Sequence, residues 1–264
     1  MRRAAKGLFA LGDVFYGRWP GPKILIYHQV TTTPRRQLDI DPETFKDHID
    51  FLMQHGQVVS LDTMLADPRR GEAHEDYVLT FDDGFKGLYT HAFPVMRDRG
   101  LEFTLYITSK MVDTASTGGD DEMLTWDQVN EMAASGLMTV GAHTHTHPDL
   151  RDLSESAVGE EIRLSNESIE KRTGTRPRHF AYPKGYWSNT AEPAIRAAYE
   201  SAVLGAGSPI TDTSDFHRLG RVAVQRADGN LFFRWKVKHG LRLEETVRSR
   251  LKGYSNPSAA TEGT

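Results

Sequence analysis

The chain has 264 residues, 38% hydrophobic and 26% charged, with no cysteine and a formal net charge of −4. That length suits one large α/β or β domain or two small ones, and the composition is too apolar for disorder and too polar for a membrane span. The lack of cysteine removes disulfides, Cys-ligated zinc, iron–sulfur clusters and a thiol nucleophile, and the lack of a basic surplus argues against a general nucleic-acid binder.

In chain order, residues 1–20 start with a basic cluster, Arg2, Arg3 and Lys6. Their apolar run, Leu8 to Leu11, is closed by Gly12 and Asp13. A secretory signal needs roughly 7–15 apolar residues, so the expectation is a loosely docked basic N-terminal segment on a cytoplasmic chain. Residues 23–28 (KILIYH) read as a buried strand. Asp41, Pro42 and Glu43 open a helix as N-cap, first-turn proline and first-turn acid, and Phe45, Ile49, Leu52 and Met53 hold helical spacing until Gly56. Residues 57–60 and 77–81 (YVLTF) read as strands, the second running into Asp82-Asp83-Gly84. A helix over 86–99 carries Pro94 as a kink point. Residues 102–107 (EFTLYI) form the next strand, and 109–123 read as a loop.

Thr125 and Gln128 have capping-box spacing and open a helix that stops at Gly136. A strand over 137–142 runs into His143. The segment 153–172 is a long helix: Ser154 caps it, Glu155, Glu160 and Glu161 come early, Lys171 and Arg172 late, as the helix dipole favours, and Gly174 ends it. Strands over 179–182, 201–204 and 221–225 and a helix over 191–199 follow. Residues 230–250 are helical, with Gly240 as a break point, and 253–264 read as a disordered tail. Strand and helix alternate through one domain, 21–252, without repeat or linker, so the fold class is α/β with a parallel sheet, open or closed as a barrel. Reactive groups in both gather where strands end.

That rule selects His28, the Asp82–Asp83 pair, residues 143–147 and the loop 183–187. Neighbouring strand residues point to opposite faces, so two adjacent carboxylates at a strand end suit two roles: one on a metal, one free as a proton acceptor. Glycine at 84 permits the turn that lets both reach one place. On the pair alone, a helix-capping role is the plainer account. The 11 histidines are the informative excess, and three lie in His143-Thr144-His145-Thr146-His147. In a helical or tight turn the four-residue spacing puts His143 and His147 on one face, while His145 faces away. Two imidazoles and one carboxylate leave open positions on a divalent ion, the pattern of a catalytic site. The reaction class is metal-assisted hydrolysis of an acyl bond, most simply an amide.

Thr80-Phe81-Asp82-Asp83-Gly84 resembles the TFDDG motif of the polysaccharide deacetylases, the NodB-homology or carbohydrate esterase family 4 proteins. His143-Thr144-His145-Thr146-His147 resembles their H-[ST]-x-x-H motif, and Phe180-Ala181-Tyr182-Pro183-Lys184-Gly185 an F-x-Y-P-x-G form of their third motif. Tyr27-His28 and Leu124-Thr125-Trp126 add to the likeness, which spans about residues 24–224. It implies a single distorted (β/α)7-type barrel domain. Asp83, His143 and His147 would hold one divalent metal ion, usually Zn2+ with Co2+ or Ni2+ as alternatives, and Asp82 would be the base. The implied activity is removal of N-acetyl or O-acetyl groups from a saccharide.

Two departures stand out. Ala181 occupies the place where many members carry an arginine that orients the base; Arg221 or Arg178 are the substitutes, with Arg221 preferred. The late Leu-x-His motif that supplies the acid in many members is absent, which leaves His28 or His217, with His28 preferred. These losses resemble the biofilm-exopolysaccharide branch of the family. Aromatic rings stack on sugar faces, so Trp126 and Trp187, with Tyr182 and Pro183, are the candidate substrate contacts, although Tyr182 also reads as core. Residues 234–252 interleave basic and apolar side chains and read as a solvated closing helix, with weak contact to an anionic membrane surface as the alternative. The competing functional readings are an amidase on ureide or imide rings and an inactive carbohydrate-binding module.

Overall fold

The computed structural model describes residues 19, 21–69, 75–114, 122–205 and 207–240. The basic segment over 1–20 apart from Trp19, the helical continuation past Gly240 and the tail over 253–264 lie outside those residues.

The first strand, β1 (Lys23–Tyr27), is buried along its length, as an apolar run flanked by strands on both sides requires. Two short strands not expected from the sequence, β2 (Gln29–Val30) and β3 (Asp39–Ile40), pair with each other; two residues carry no periodicity to read. Helix α1 (Pro42–His55) starts at the expected cap, with Asp41 accepting from the Thr44 N–H at 2.9 Å. Strand β4 (Gln57–Val58) and a further unexpected helix, α2 (Leu61–Ala66), follow, the helix capped by Ser60. Strand β5 (Asp76–Asp83) carries both aspartates at its end.

The helix expected over 86–99 divides. A π turn over Leu88–Ala92 leads into α3 (Phe93–Arg97). Pro94 has no N–H and its ring excludes a carbonyl one turn back, so the ladder widens just upstream of it. After β6 (Phe103–Ile107), the expected loop begins with a short helix, α4 (Ser109–Asp113). Helix α5 (Trp126–Ala134) opens with the full capping box, and β7 (Met138–Ala142) follows. Helix α6 (Glu155–Thr173) runs from its Ser154 cap to Gly174, whose φ of 72° closes it in the left-handed region. The remaining elements are β8 (His179–Ala181), α7 (Glu192–Ala198), β9 (Ser201–Val203), β10 (Arg221–Ala223) and α8 (Gly229–His239).

Seven strands lie in the order β10-β1-β5-β6-β7-β8-β9, every neighbouring pair parallel. A parallel bridge from Val203 to Leu219 ties β9 to the segment that enters β10, so the sheet curls into a nearly closed barrel. Strand alternation sorts the apolar residues. Leu25, Leu79, Leu105, Phe180 and Ala202 belong to the core under the helices, whereas Ile24, Val78, Tyr106, Ala181 and Val203 fill the barrel with Leu61 and Met64 of α2.

In α8, Phe233 and Val237 are buried, and so is Lys236, which pairs with Asp228 at 2.8 Å and donates to the Ala223 carbonyl at 2.9 Å. The basic residues of this helix are therefore not all solvated: a buried ammonium needs a paired acceptor, and β10 with its following turn supplies two. Among the described residues, no helix is long and apolar enough to cross a membrane.

Candidate active site

Asp82 keeps the inward parity of β5 and is 3% exposed. Arg221, inward on β10, reaches it with Nη1–Oδ1 and Nη2–Oδ2 distances of 2.7 Å each. The same guanidinium donates to Thr80 Oγ1 and to the Leu204 carbonyl. Its carbon lies 5.4 Å from the centre of the Tyr106 ring, which has room because position 141 is glycine: a Cβ there would come within 2.5 Å of that ring. Burial pushes the Asp82 carboxyl up, but Arg221, His143 and His28 together hold it well below the usual carboxylate range. Asp82 is thus an ionised, oriented acceptor at neutral pH.

Asp83 would face the outer core by parity. Its φ of 74°, followed by Gly84 at 100°, turns the carboxylate back over the strand ends. Thr144 (φ 64°), His147 (φ 62°) and Lys184 (φ 60°) are the other described non-glycine residues with positive φ, and all three lie in loops that follow β7 or β8. Such conformations cluster where surrounding contacts over-determine the backbone, as at ligand sites. Residues 143–147 form no helix; the two left-handed residues bring the histidines together, with ring centres 4.8 Å apart. His145 turns to Ser109, Nδ1 to Oγ 2.8 Å.

Asp83 Oδ1 lies 3.6 Å from His143 Nε2 and 3.5 Å from His147 Nε2, and one ligand atom from each of the three lies within 4.8 Å of the others. Two donors bound at ~2.0–2.1 Å to a tetrahedral ion would be about 3.3 Å apart, so the observed spacings suit a single ion. Protonation supports the same account. His143 Nδ1 is 2.7 Å from the Ala181 carbonyl, which can only accept, so Nδ1 carries the hydrogen and Nε2 presents a lone pair. Burial pushes the His143 pKa down to about 4, so the ring is neutral at pH 7. A lone pair therefore faces a carboxylate oxygen that is buried and has no hydrogen-bond partner among the described residues. Two acceptors held face to face fit a cation between them. No sequence signal could have identified the Ala181 partner, because the contact is made by a backbone carbonyl.

His28, the first residue past β1, has a buried Nδ1 without a hydrogen-bond partner among the described residues, and it bears electrostatically on Asp82. The two alternatives from the sequence lie at the opposite end of the strands. Arg178 pairs with Asp62 and Glu200 at 2.6 and 2.9 Å, and His217 lies 2.9 Å from the carbonyl of Tyr199, just before β9.

Of the aromatic candidates, Tyr182 has no exposed surface. It has outward parity and packs edge-on against Phe180, so its ring belongs to the core and offers no face to a sugar. Pro183 is buried at the start of a 3₁₀ turn, Pro183–Gly185. Trp187 is half-buried under the Arg218 guanidinium, 4.9 Å from the ring centre. Trp126 donates its indole N–H to Asp113, which also accepts from Ser168 and lies 3.6 Å from Arg172, so it is held on the flank shared by α4, α5 and α6.

The polysaccharide deacetylase family model matches residues 70–201, half of the chain. The YxkH protein of Bacillus subtilis (strain 168) is 24% identical over 206 residues, covering 76% of this chain and 70% of that one. The poly-beta-1,6-N-acetyl-D-glucosamine N-deacetylase of Staphylococcus epidermidis is 22% identical over 200 residues, 72% of this chain and 69% of that one. The structure of IcaB from Ammonifex degensii superposes with a TM-score of 0.71 and 25% identity, covering 82% of this chain and 97% of that one.

Proposed function

This chain belongs to the polysaccharide deacetylase family, and we propose that it hydrolyses the N-acetyl amide of an amino sugar within a saccharide, using one divalent cation held by Asp83, His143 and His147. The observation that carries this reading is the pairing of a converging acceptor set, Asp83, His143 and His147, with a separate, ionised carboxylate. Asp82 Oδ2 lies 4.0 Å from His143 Nε2 and is fixed by Arg221. When bound, the cation, Zn2+ in the first instance, supplies Lewis acidity that polarises an acyl oxygen and brings the pKa of water toward ~7.

The chain's own groups do the rest. Asp82 takes the proton of the attacking water, and Arg221 keeps that carboxylate aimed and deprotonated until it does. His28 carries the proton to the departing nitrogen as the C–N bond breaks, so that acetate and a free amine leave. Trp187 offers a partly exposed ring to a sugar face, and the Pro183–Gly185 turn sets its position.

The relative named for poly-beta-1,6-N-acetyl-D-glucosamine suggests the trial substrate. The Zn2+-loaded chain is expected to release acetate from β-1,6-linked N-acetylglucosamine oligomers. Asp82→Asn should lower kcat by about 10²–10⁴ without changing the bound metal. Ring-opened product from a cyclic ureide, with no acetate from any acetylated sugar, would turn the reading to a non-sugar amidase. Stoichiometric cation with no hydrolysis of either would reduce it to a binding module.

A further inference from the structure

The backbone between the two histidines is gripped from outside by one side chain. Glu161, in the second turn of α6, accepts from the N–H of His145 at 2.9 Å and of Thr146 at 2.8 Å through Oε2, and from the Thr146 hydroxyl at 2.7 Å through Oε1. We infer that Glu161 is a positioning residue, whose carboxylate holds the 143–147 turn in the shape that lets His143 and His147 meet on one cation. The inference rests on the assignment of Asp83, His143 and His147 as metal ligands.

The turn needs such a hold. Thr144 and His147 both have positive φ, and a β-branched residue adopts that conformation rarely. Within the turn, the Thr144 hydroxyl donates to the His143 carbonyl at 2.6 Å and accepts from the His147 N–H at 3.1 Å. The α4 side adds backbone bonds from Lys110 N–H to the His145 carbonyl at 3.0 Å and from Ser109 N–H to the Thr144 carbonyl at 3.3 Å. Glu161 supplies the opposing side. Three donors converge there, and a carboxylate, which only accepts, matches them with charge-assisted bonds. The two ligands depend on it unequally. His143 is pinned separately by the Ala181 carbonyl, 2.7 Å from Nδ1, whereas the His147 backbone is tied to the turn itself, through Thr144 Oγ1. Loss of Glu161 is therefore expected to release His147 first. Its neighbour Glu160 faces outward to Arg163 at 2.7 Å; it bears electrostatically on His145 but, among the described residues, makes no hydrogen bond to the turn.

The test is a Zn2+ titration against a chromophoric chelator, run on the full chain and on Glu161→Ala, Glu161→Gln, Glu160→Ala and His147→Ala, with thermal melts of the metal-free proteins to report on the fold. Glu161→Ala should weaken Zn2+ binding by about 10–100-fold, the range for partners that orient metal ligands. Glu161→Gln should fall between it and wild type, because an amide oxygen can still accept both N–H bonds while its NH₂ donates to the threonine hydroxyl. Glu160→Ala should bind as wild type does. Wild-type affinity in Glu161→Ala, or an equal loss in Glu160→Ala, overturns the inference while leaving the ligand assignment standing. A wild-type chain that takes up no Zn2+, or a His147→Ala variant that binds as tightly as wild type, overturns the ligand assignment and this inference with it.

Discussion

Arg221 and Asp82 are 139 residues apart in sequence and meet as a two-pronged ion pair, each prong 2.7 Å, with neither side chain more than 4% exposed. Breaking a buried pair from one side leaves an uncompensated charge. Arg221→Met should cost on the order of 3–5 kcal/mol in denaturant unfolding, and Asp82→Asn added to it should recover a large part of that loss. Arg221→Lys should fall between, since an ammonium cannot span both carboxylate oxygens. An Arg221→Met protein as stable as wild type would contradict the buried pair.

His48 gives stability a defined pH dependence. Its ring stacks 3.5 Å from Phe233 between α1 and α8, and burial pushes its pKa down to about 3. Above pH ~6.5 the ring is neutral folded and unfolded, and it contributes nothing to the dependence. Between 6.5 and 3 the unfolded chain binds the proton first, so stability falls as pH falls, by up to ~1.4 kcal/mol per pH unit for each such group. In chelated protein His143, pushed down to about 4, adds to the same window. Asp82 does not act there: its contribution, present above the unfolded pKa near ~4, is lost only at lower pH. Urea unfolding from pH 4 to 7 should show the slope, and His48→Phe should lower the proton uptake by about one. A slope indifferent to that substitution would reject the assignment.

Metal binding should be visible as stability, because the three ligand groups come together only in the folded barrel. At a hundred times its Kd, Zn2+ contributes ~2.7 kcal/mol, or roughly 5–10 °C in Tm for a chain this size. Chelation should reverse the shift, and Asp83→Asn or His147→Ala should abolish it. Equal shifts in those variants would place the ion elsewhere.

The 183–187 loop depends on close backbone approach. Gly185 has φ 73°, and a Cβ on it would lie 2.4 Å from Gly205 Cα. Gly174 has nearly the same φ, 72°, with nothing within 4 Å of a Cβ. Gly174→Ala should therefore show only the backbone cost of about 1 kcal/mol, whereas Gly185→Ala should exceed it and also lower kcat/KM by moving the loop. Equal unfolding costs for the two would remove the steric argument.

The parts legible in the sequence were those with a local cause. The Ser154 and Thr125 caps, Gly174 as a helix end and the apolar runs of β1, β5 and β6 depend on residues a few positions apart, and they placed most boundaries within a residue or two. The helix over 61–66 and the strands at 29–30 and 39–40 were too short to carry a period. The π turn before Pro94 shows a proline whose effect fell upstream of its own position.

By itself, the sequence determined the α/β alternation, the chemical types at the strand ends and their order along the chain, since these follow from side-chain identity and near-neighbour spacing. Tertiary structure alone decided which carboxylate meets which cation. Barrel closure put β10 two strands from β5 and so brought Arg221 to Asp82, a left-handed residue swung Asp83 against its own strand parity, and outward parity sealed Tyr182 into the core. Those outcomes turn on where distant backbone segments come to rest, and no local pattern of side chains encodes that.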